Sequence, residues 1–340
     1  MPYQKVKEAI EDIKKGKMIV IVDDEDRENE GDLVFASDFS TPDKINFMIT
    51  HAKGIVCMSI TKQCADRLNL TPMVANNDSI HETAFTVSVD ARDAKTGVSA
   101  YERDMTIKII NNSKSSPKDL VRPGHIFPLI AKKGGVLVRT GHTEGSIDLC
   151  RLAGVGESAI ICEIVKENGE MARRDDLEIF CKKFDIKMIS IADIIKFRMK
   201  NESLIREVGN EPISFLGTKV RKVDFLDNFE NHQVAYIFGE PKAKMAVKFH
   251  NVSSDFLLLS SEKRYFSLMN SIEYLKKESG VLVFLSHEAK TPKQIKDFGI
   301  GAQILKKLGV KDIVLLTSKK GHEFVGIKGF DLDVIEEIEI

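Results

Sequence analysis

Cysteine is absent after position 181, no apolar run approaches membrane-spanning length, and neither charge sign prevails across the chain. Each absence excludes something. A spanning helix needs about 18 or more consecutive apolar residues, so none is expected. A formal net charge of −1 provides no global field to steer the protein toward nucleic acid or an anionic membrane. The amino-terminal stretch MPYQKVKEAIEDIKKGK is charged and amphipathic, without the apolar core of a signal peptide. The five cysteines, at 57, 64, 150, 162 and 181, form no CxxC pair, and several lie in apolar runs such as IVCMSI and AIICEIV. Such thiols behave as small buried hydrophobes in a reducing compartment, so a cytoplasmic protein is expected. No internal repeat or low-complexity tract is present.

What is there suffices for two cores. The chain has 340 residues, 43% hydrophobic and 30% charged, the profile of an ordinary globular protein. Val6, Ile10 and Ile13 predict a helix over 3–16, followed by a strand at 18–22. Thr41-Pro42 opens a helix that Gly54 ends, and 55–60 reads as a buried strand. Residues 85–89 alternate like a half-exposed strand, and 99–112 reads as helix. Gly134-Gly135 separates two apolar runs as a hairpin does. A strand at 160–165, a turn at Asn168-Gly169, a helix at 174–184 and a helix capped by Ser190 complete this half. Strands and helices mix without a βαβ rhythm, which favours a mixed-sheet α+β domain. The polar stretch 201–212 reads as a linker. Beyond it, strands are expected at 234–238, 245–249, 281–285 and 313–317, with a helix at 301–308.

The segment Asp23 to Asp32, DDEDRENEGD, carries seven carboxylates and one arginine directly after the apolar run at 18–22. That density of like charge at the end of a buried strand calls for neutralisation. A divalent cation together with a polyhydroxylated or phosphorylated substrate would provide it. A solvated acidic loop is the plain alternative. A calcium loop of the EF-hand kind is excluded, because Glu28 stands where that motif needs glycine.

Four further pieces accompany the acidic run. HAKGIVCMSI places His51 and Lys53 before a strand. In TGVSAYERDMTI, Thr96 and Ser99 stand at a helix N-terminus, whose free N–H groups favour an anion. RPGHIFPL carries His125. RTGHTEGSIDL sets Arg139, Thr140, Gly141, His142 and Thr143 at the mouth of another helix, a phosphate cradle with a metal-capable imidazole. Glu163 lies inside an apolar strand, where an ionised carboxylate is costly unless paired. Singly, His51 or His81 reads as structural; together with the acidic run, the set points to catalysis.

These motifs, with HETAFTVSVDA and CEIVKENGEMAR, resemble the 3,4-dihydroxy-2-butanone 4-phosphate synthase family over residues 1–200. The resemblance implies a Mg²⁺- or Mn²⁺-dependent conversion of ribulose 5-phosphate to the four-carbon butanone phosphate, with carbon 4 lost as formate. It implies that Glu28 and His142 are metal ligands and that His125 and Glu163 are the acid–base pair. Arg27, Glu28, Asp32, Arg139, Thr140, Gly141, His142, Thr143 and Glu163 become the expected substrate contacts. A homodimer is the family's assembly and is carried over as an expectation. The rival expectation is a sugar-phosphate-binding or interaction protein with both domains degenerate.

Residues 201–340 resemble GTP cyclohydrolase II, a second, smaller α/β domain, most clearly at DFGIGAQILKKLGVKDIVLLTS and GIKGFDLDVIEEIEI. Active members carry a three-cysteine zinc motif resembling CxGDxxGSxRCxC. Here the stretch after His250 reads NVSSDFLLLSSEKRYFSL, without cysteine. The interval before DFGIGAQIL is crossed by the short KTPKQIK, leaving no place for an EGRGIGL-type motif. His232, His250, His287 and His322 are too scattered to replace the cysteines. The expectation is a retained scaffold without zinc and without GTP hydrolysis.

Overall fold

The computed structural model describes residues 2–25, 27–227, 230–286, 293–318 and 332–340. They form two units, Met1–Phe197 and Arg198–Ile340. Asp26, His287, His322, Lys290 to Pro292 of KTPKQIK and most of GIKGFDL lie outside the described residues.

The first unit runs α1 (Pro2–Lys14), β1 (Ile19–Val22), β2 (Gly31–Ala36), α2 (Pro42–Phe47), β3 (Cys57–Ile60), α3 (Lys62–Arg67), β4 (Val89–Ala91), α4 (Ala100–Asn111), β5 (Leu120–Ile130), α5 (His142–Ala153), β6 (Ala159–Glu163), α6 (Arg174–Phe184), β7 (Lys187–Ser190) and α7 (Ile191–Asn201). Its mixed seven-stranded sheet has the order β4-β5-β3-β6-β2-β1-β7. β1 is buried on both faces, which its unbroken IVIV run requires. On one face Val20, Val22, Leu33, Phe35, Met58, Ile126 and Cys162 join the core with residues of α2, α4 and α6. Because side chains alternate along a strand, Asp32, Ser59, Ile161, Glu163, His125 and Phe127 turn to the opposite face. That face is covered by α5, which packs on β1, β2 and β3 and anchors Ser146 Oγ to Ser59 Oγ at 2.9 Å. All five cysteines are free thiols.

Three local expectations are corrected here. Gly134-Gly135 makes no hairpin; a 3-10 turn, Gly135–Leu137, follows, with Val136 N–H and Gly135 closing on the buried Asp148 carboxylate. Phe85 and Thr86 form only isolated bridges, and the named strand is the short β4. The helix N-terminus behind Thr96 and Ser99 is not free for an anion. Glu102 accepts from the N–H groups of Lys95 and Thr96 and from both hydroxyls, so the chain supplies its own carboxylate there.

The second unit contains β8 (Ile205–Phe215), β9 (Thr218–Asp227), β10 (His232–Phe238), β11 (Lys244–Asn251), α8 (Asp255–Leu259), α9 (Glu262–Glu278), β12 (Gly280–Leu285), α10 (Lys293–Lys307), β13 (Asp312–Thr317) and β14 (Asp333–Glu339). Its sheet order is β14-β13-β11-β12-β10-β9-β8, antiparallel on one side and parallel on the other. The expected linker at 201–212 is mostly β8, an edge strand that pairs, among the described residues, with β9 alone. Only Ile205 along it is buried, and most of its exposed positions are charged or polar, so no apolar alternation marks it.

Candidate active site

The acidic run leaves β1 and returns as β2. Asp23 organises it: Oδ1 accepts the Glu30 N–H at 2.9 Å, and Oδ2 accepts the Glu28 N–H at 3.1 Å and Arg27 at 2.7 Å. Arg27 also meets Glu28 Oε2 at 2.9 Å, so its guanidinium is an internal counter-ion for two carboxylates. Just before α6, at its N-cap, Arg173 donates to the carbonyls of Glu28 and Asn29 and clamps the loop backbone.

His142, the first residue of α5, descends onto this loop. Its Nδ1 lies 3.6 Å from Glu28 Oε2 and 3.8 Å from Asp32 Oδ1. Asp32 and Glu163 are register partners on β2 and β6, so their carboxylates share the face beneath α5. Glu163 Oε2 accepts the Ile55 N–H at 2.9 Å, and Gly54 leaves room for it: a Cβ there would overlap Glu163. His81 Nε2 adds a fourth approach, 4.0 Å from Glu28 Oε1.

The electrostatics follow from this crowding. Burial penalises the His142 cation, yet Asp32, Glu28 and Asp23 overcome that and raise its pKa to about 9. Burial also works against ionised Glu28, but His142 and Arg27 hold it down to about 2. Asp32 is pushed up, first by burial and then by Glu163, Glu28 and Glu30. The corner therefore draws positive charge, and a proton on His142 supplies it when nothing else does.

A divalent cation fits these residues. Ligand atoms of Asp23, Glu28 and His142 lie within 4.8 Å of one another. Both oxygens of Asp23 already hold the loop, so Glu28 and His142 are the two of these three that would be free to serve as donors. Among the described residues, Asp32 Oδ1 and His142 Nε2 are buried without a hydrogen-bond partner, a costly condition that a ligand would relieve.

The mouth of α5 is open in the same direction. Thr41, Thr61, Ser99, Ser254 and Ser261 cap their helices with side-chain oxygens, whereas α5 begins after Gly141 and has no side-chain cap. Its first N–H groups remain available to an anion. Thr143 is buried beside His142, and Thr140 precedes them. Arg139 stands at this mouth but is occupied by Glu144 at 2.7 Å, the His81 carbonyl and Thr83 Oγ1. His125, on β5, has a different partner, Asp90.

The structure thus brings Glu28, Asp32, His142 and Glu163 to one corner, with Arg27 inside the loop and Arg139, Thr140, Gly141 and Thr143 at the helix mouth. Sequence reasoning missed Asp23 as the organiser, His81 as a neighbour of Glu28, and Asp90. His81 and Asp90 both lie in HETAFTVSVDA, and that co-location was the available signal. In the second unit, His232 pairs with Asp224 and His250 packs on Phe284. No group of three possible metal ligands forms there among the described residues.

Comparison with known proteins agrees over the whole length. Residues 7–197 match the family model for 3,4-dihydroxy-2-butanone 4-phosphate synthase, and residues 256–339 match that for GTP cyclohydrolase II. The 3,4-dihydroxy-2-butanone 4-phosphate synthase of Sulfurospirillum multivorans is 57% identical over 99% of this chain and 94% of its own. A crystal structure of RibBX, a two-domain 3,4-dihydroxy-2-butanone 4-phosphate synthase from A. baumannii, superposes with a TM-score of 0.82 at 37% identity, covering 98% of each chain. A synthase structure in complex with two magnesium ions matches 58% of this chain and 97% of its own, at 36% identity and a TM-score of 0.56. The chain belongs to the 3,4-dihydroxy-2-butanone 4-phosphate synthase family, in the form that continues into a GTP cyclohydrolase II-type unit.

Proposed function

We propose that the corner under α5 binds ribulose 5-phosphate with Mg²⁺ or Mn²⁺ and converts it to L-3,4-dihydroxy-2-butanone 4-phosphate and formate, a step of riboflavin biosynthesis. The observation that carries the residue assignment is the convergence of His142, Glu28 and Asp32 beneath an uncapped helix N-terminus. Glu28 and His142 hold the cation. When bound, it supplies a Lewis acid for developing negative charge on the substrate oxygens. Asp32 accepts from sugar hydroxyls. The N–H groups after Gly141, with Thr140 and Thr143, take the phosphate; Arg139 adds positive charge beside them and Arg27 orders the acidic loop. Glu163, steadied by the Ile55 N–H, and His125 move protons at carbon and hydroxyl oxygen.

Formate release from ribulose 5-phosphate, with Mg²⁺, with and without EDTA, and with GTP omitted, tests this reading. Metal-dependent formate is the expected result. Well-folded protein releasing none would favour the non-catalytic alternative, a sugar-phosphate-binding protein.

The second unit is assigned no GTP cyclohydrolase activity. Support comes from the lack of cysteine after 181 and from Lys248, a buried ammonium two residues before His250. GTP supplied with Zn²⁺ should yield no pyrimidine product; turnover would contradict the assignment. A homodimer without nucleic-acid or membrane partners, located in the cytoplasm, completes the proposal. Native mass spectrometry showing a monomer would remove the dimer. No described helix is long and apolar enough to cross a membrane.

A further inference from the structure

We propose that His81 is a further substrate contact of the corner beneath α5, its ring Nε2 and Glu28 Oε1 holding one hydroxyl of the sugar phosphate between them. The inference rests on the reading of that corner as the ribulose 5-phosphate site and adds a residue at the second oxygen of Glu28.

Glu28 presents its two oxygens to different neighbours. Oε2 lies 2.9 Å from Arg27 and 3.6 Å from His142 Nδ1, whereas Oε1 faces the His81 ring, with Nε2 at 4.0 Å. That gap is too wide for a direct hydrogen bond, and a single oxygen about 2.8 Å from each atom bridges it. The His81 ring makes no other polar contact among the described residues, and at 34% exposure it stands open beside Glu28 at 23%. An ionised carboxylate only accepts, so the bridging group must donate to Glu28 while accepting from the Nε2–H of His81. A hydroxyl does both. A carbonyl or phosphate oxygen, which only accepts, cannot.

The local fold delivers the ring to this position. Ser79 to Glu82 form a tight turn, closed by the Glu82 N–H on the Ser79 carbonyl at 3.0 Å, with His81 at its apex and Glu82 left-handed at φ 49°. Asn77 braces the neck of the turn. Its Nδ2 donates to the Thr83 carbonyl at 2.9 Å, and its Oδ1 accepts from Ser79 Oγ at 2.7 Å. From the mouth of α5, Arg139 donates to the His81 carbonyl and to Thr83 Oγ1, both at 3.0 Å, while Glu144 holds the same guanidinium at 2.7 Å. Glu144 is itself buried and accepts the Lys132 N–H at 3.0 Å. One residue thus joins the two ends of the site, its carbonyl at the phosphate end and its ring at the cation end. A phosphorylated chain of hydroxyls running from the α5 mouth to Glu28 passes along it.

His81→Leu tests the contact, because it keeps the backbone carbonyl that Arg139 uses. In formate release, KM for ribulose 5-phosphate should rise about tenfold, with kcat within about threefold of wild type. His81→Gln, which retains an N–H donor near the Nε2 position, should recover most of that loss. The inhibition constant of inorganic phosphate and the affinity for Mg²⁺ should stay within about twofold in both variants. If they weaken as much as KM, His81 only props the loop and the proposal fails. An unchanged KM in His81→Leu overturns it as well. A second readout uses the intact protein with Mg²⁺. Ribitol 5-phosphate, a sugar-alcohol phosphate without the reacting carbonyl, should shift the His81 ring ¹⁵N signals, assigned with His81→Gln, and inorganic phosphate should not. No shift overturns the proposal even if His81→Leu does not fold. Wild-type protein that releases no formate removes the catalytic reading alone; the ribitol 5-phosphate shift then still decides the contact.

Discussion

Both units bury ionisable groups at the end of a sheet, but with opposite sign. Beneath α5 in the first unit, Glu28, Asp32 and Glu163 surround His142, and its pKa rises to about 9. In the second unit, Lys248 and His250 turn from β11 toward α9. Lys248 Nζ donates to Ser267 Oγ at 2.8 Å and has no carboxylate partner among the described residues. Burial, then Lys248 and Arg264, lowers the pKa of His250. The same imidazole is thus driven in opposite directions by its neighbours. The acidic corner favours a cation; the basic one disfavours it.

The largest expected break in this contrast is chemical. His142→Ala or Glu28→Gln should reduce formate release from ribulose 5-phosphate by roughly 10³-fold or more, while His250→Ala leaves it unchanged. Comparable losses from both histidines would erase the distinction between the units. Asp32→Asn should separate function from stability. It removes a buried like charge, so the cation-free protein should gain about 1–3 kcal/mol in denaturant melts while losing synthase activity. A destabilised variant would mean that Asp32 serves packing instead.

The pH response sharpens the same point. His142 binds its proton more tightly folded than unfolded. Its contribution is complete below the ordinary value of 6.5 and disappears as pH rises through about 9. Asp32, also raised, adds a loss in the same direction from its ordinary 3.8 upward. Glu28 runs the other way, contributing above 4.5 and losing its part as pH falls through about 2. In EDTA the melting temperature should therefore drop from pH 6.5 to about 9, and Mg²⁺ should flatten the slope. A flat EDTA profile would contradict the proposed charge balance. The smallest effect belongs to Lys248→Met, which removes an uncompensated buried ammonium. Stability should stay level or rise by up to about 2 kcal/mol, with formate release unaffected.

Most of the first unit was legible because its strands and helices announce themselves in apolar pattern and capping residues. Thr41-Pro42 and Ser99 open the helices that the sequence assigns to them. The second unit hid β8, β9, α8, α9 and β14, and for α9 and β8 the physical reason is plain. Along α9 the buried stripe is Ser267, Leu268, Ser271, Ile272 and Leu275, so serines interrupt the apolar period. β8, at an edge, buries too little to alternate visibly. Within the site, motif resemblance named Glu28, Asp32, His142 and Glu163, but partners across the fold stayed invisible. Asp90 reaches His125 across 35 residues, and nothing local in either segment predicts that meeting.

The central claim is that Glu28 and His142 hold the cation, and calorimetric titration of Mg²⁺ into wild-type, Glu28→Gln and His250→Ala proteins tests it most directly. Wild type and His250→Ala should bind alike, and Glu28→Gln should bind at least about tenfold more weakly. Equal binding by Glu28→Gln would contradict the account.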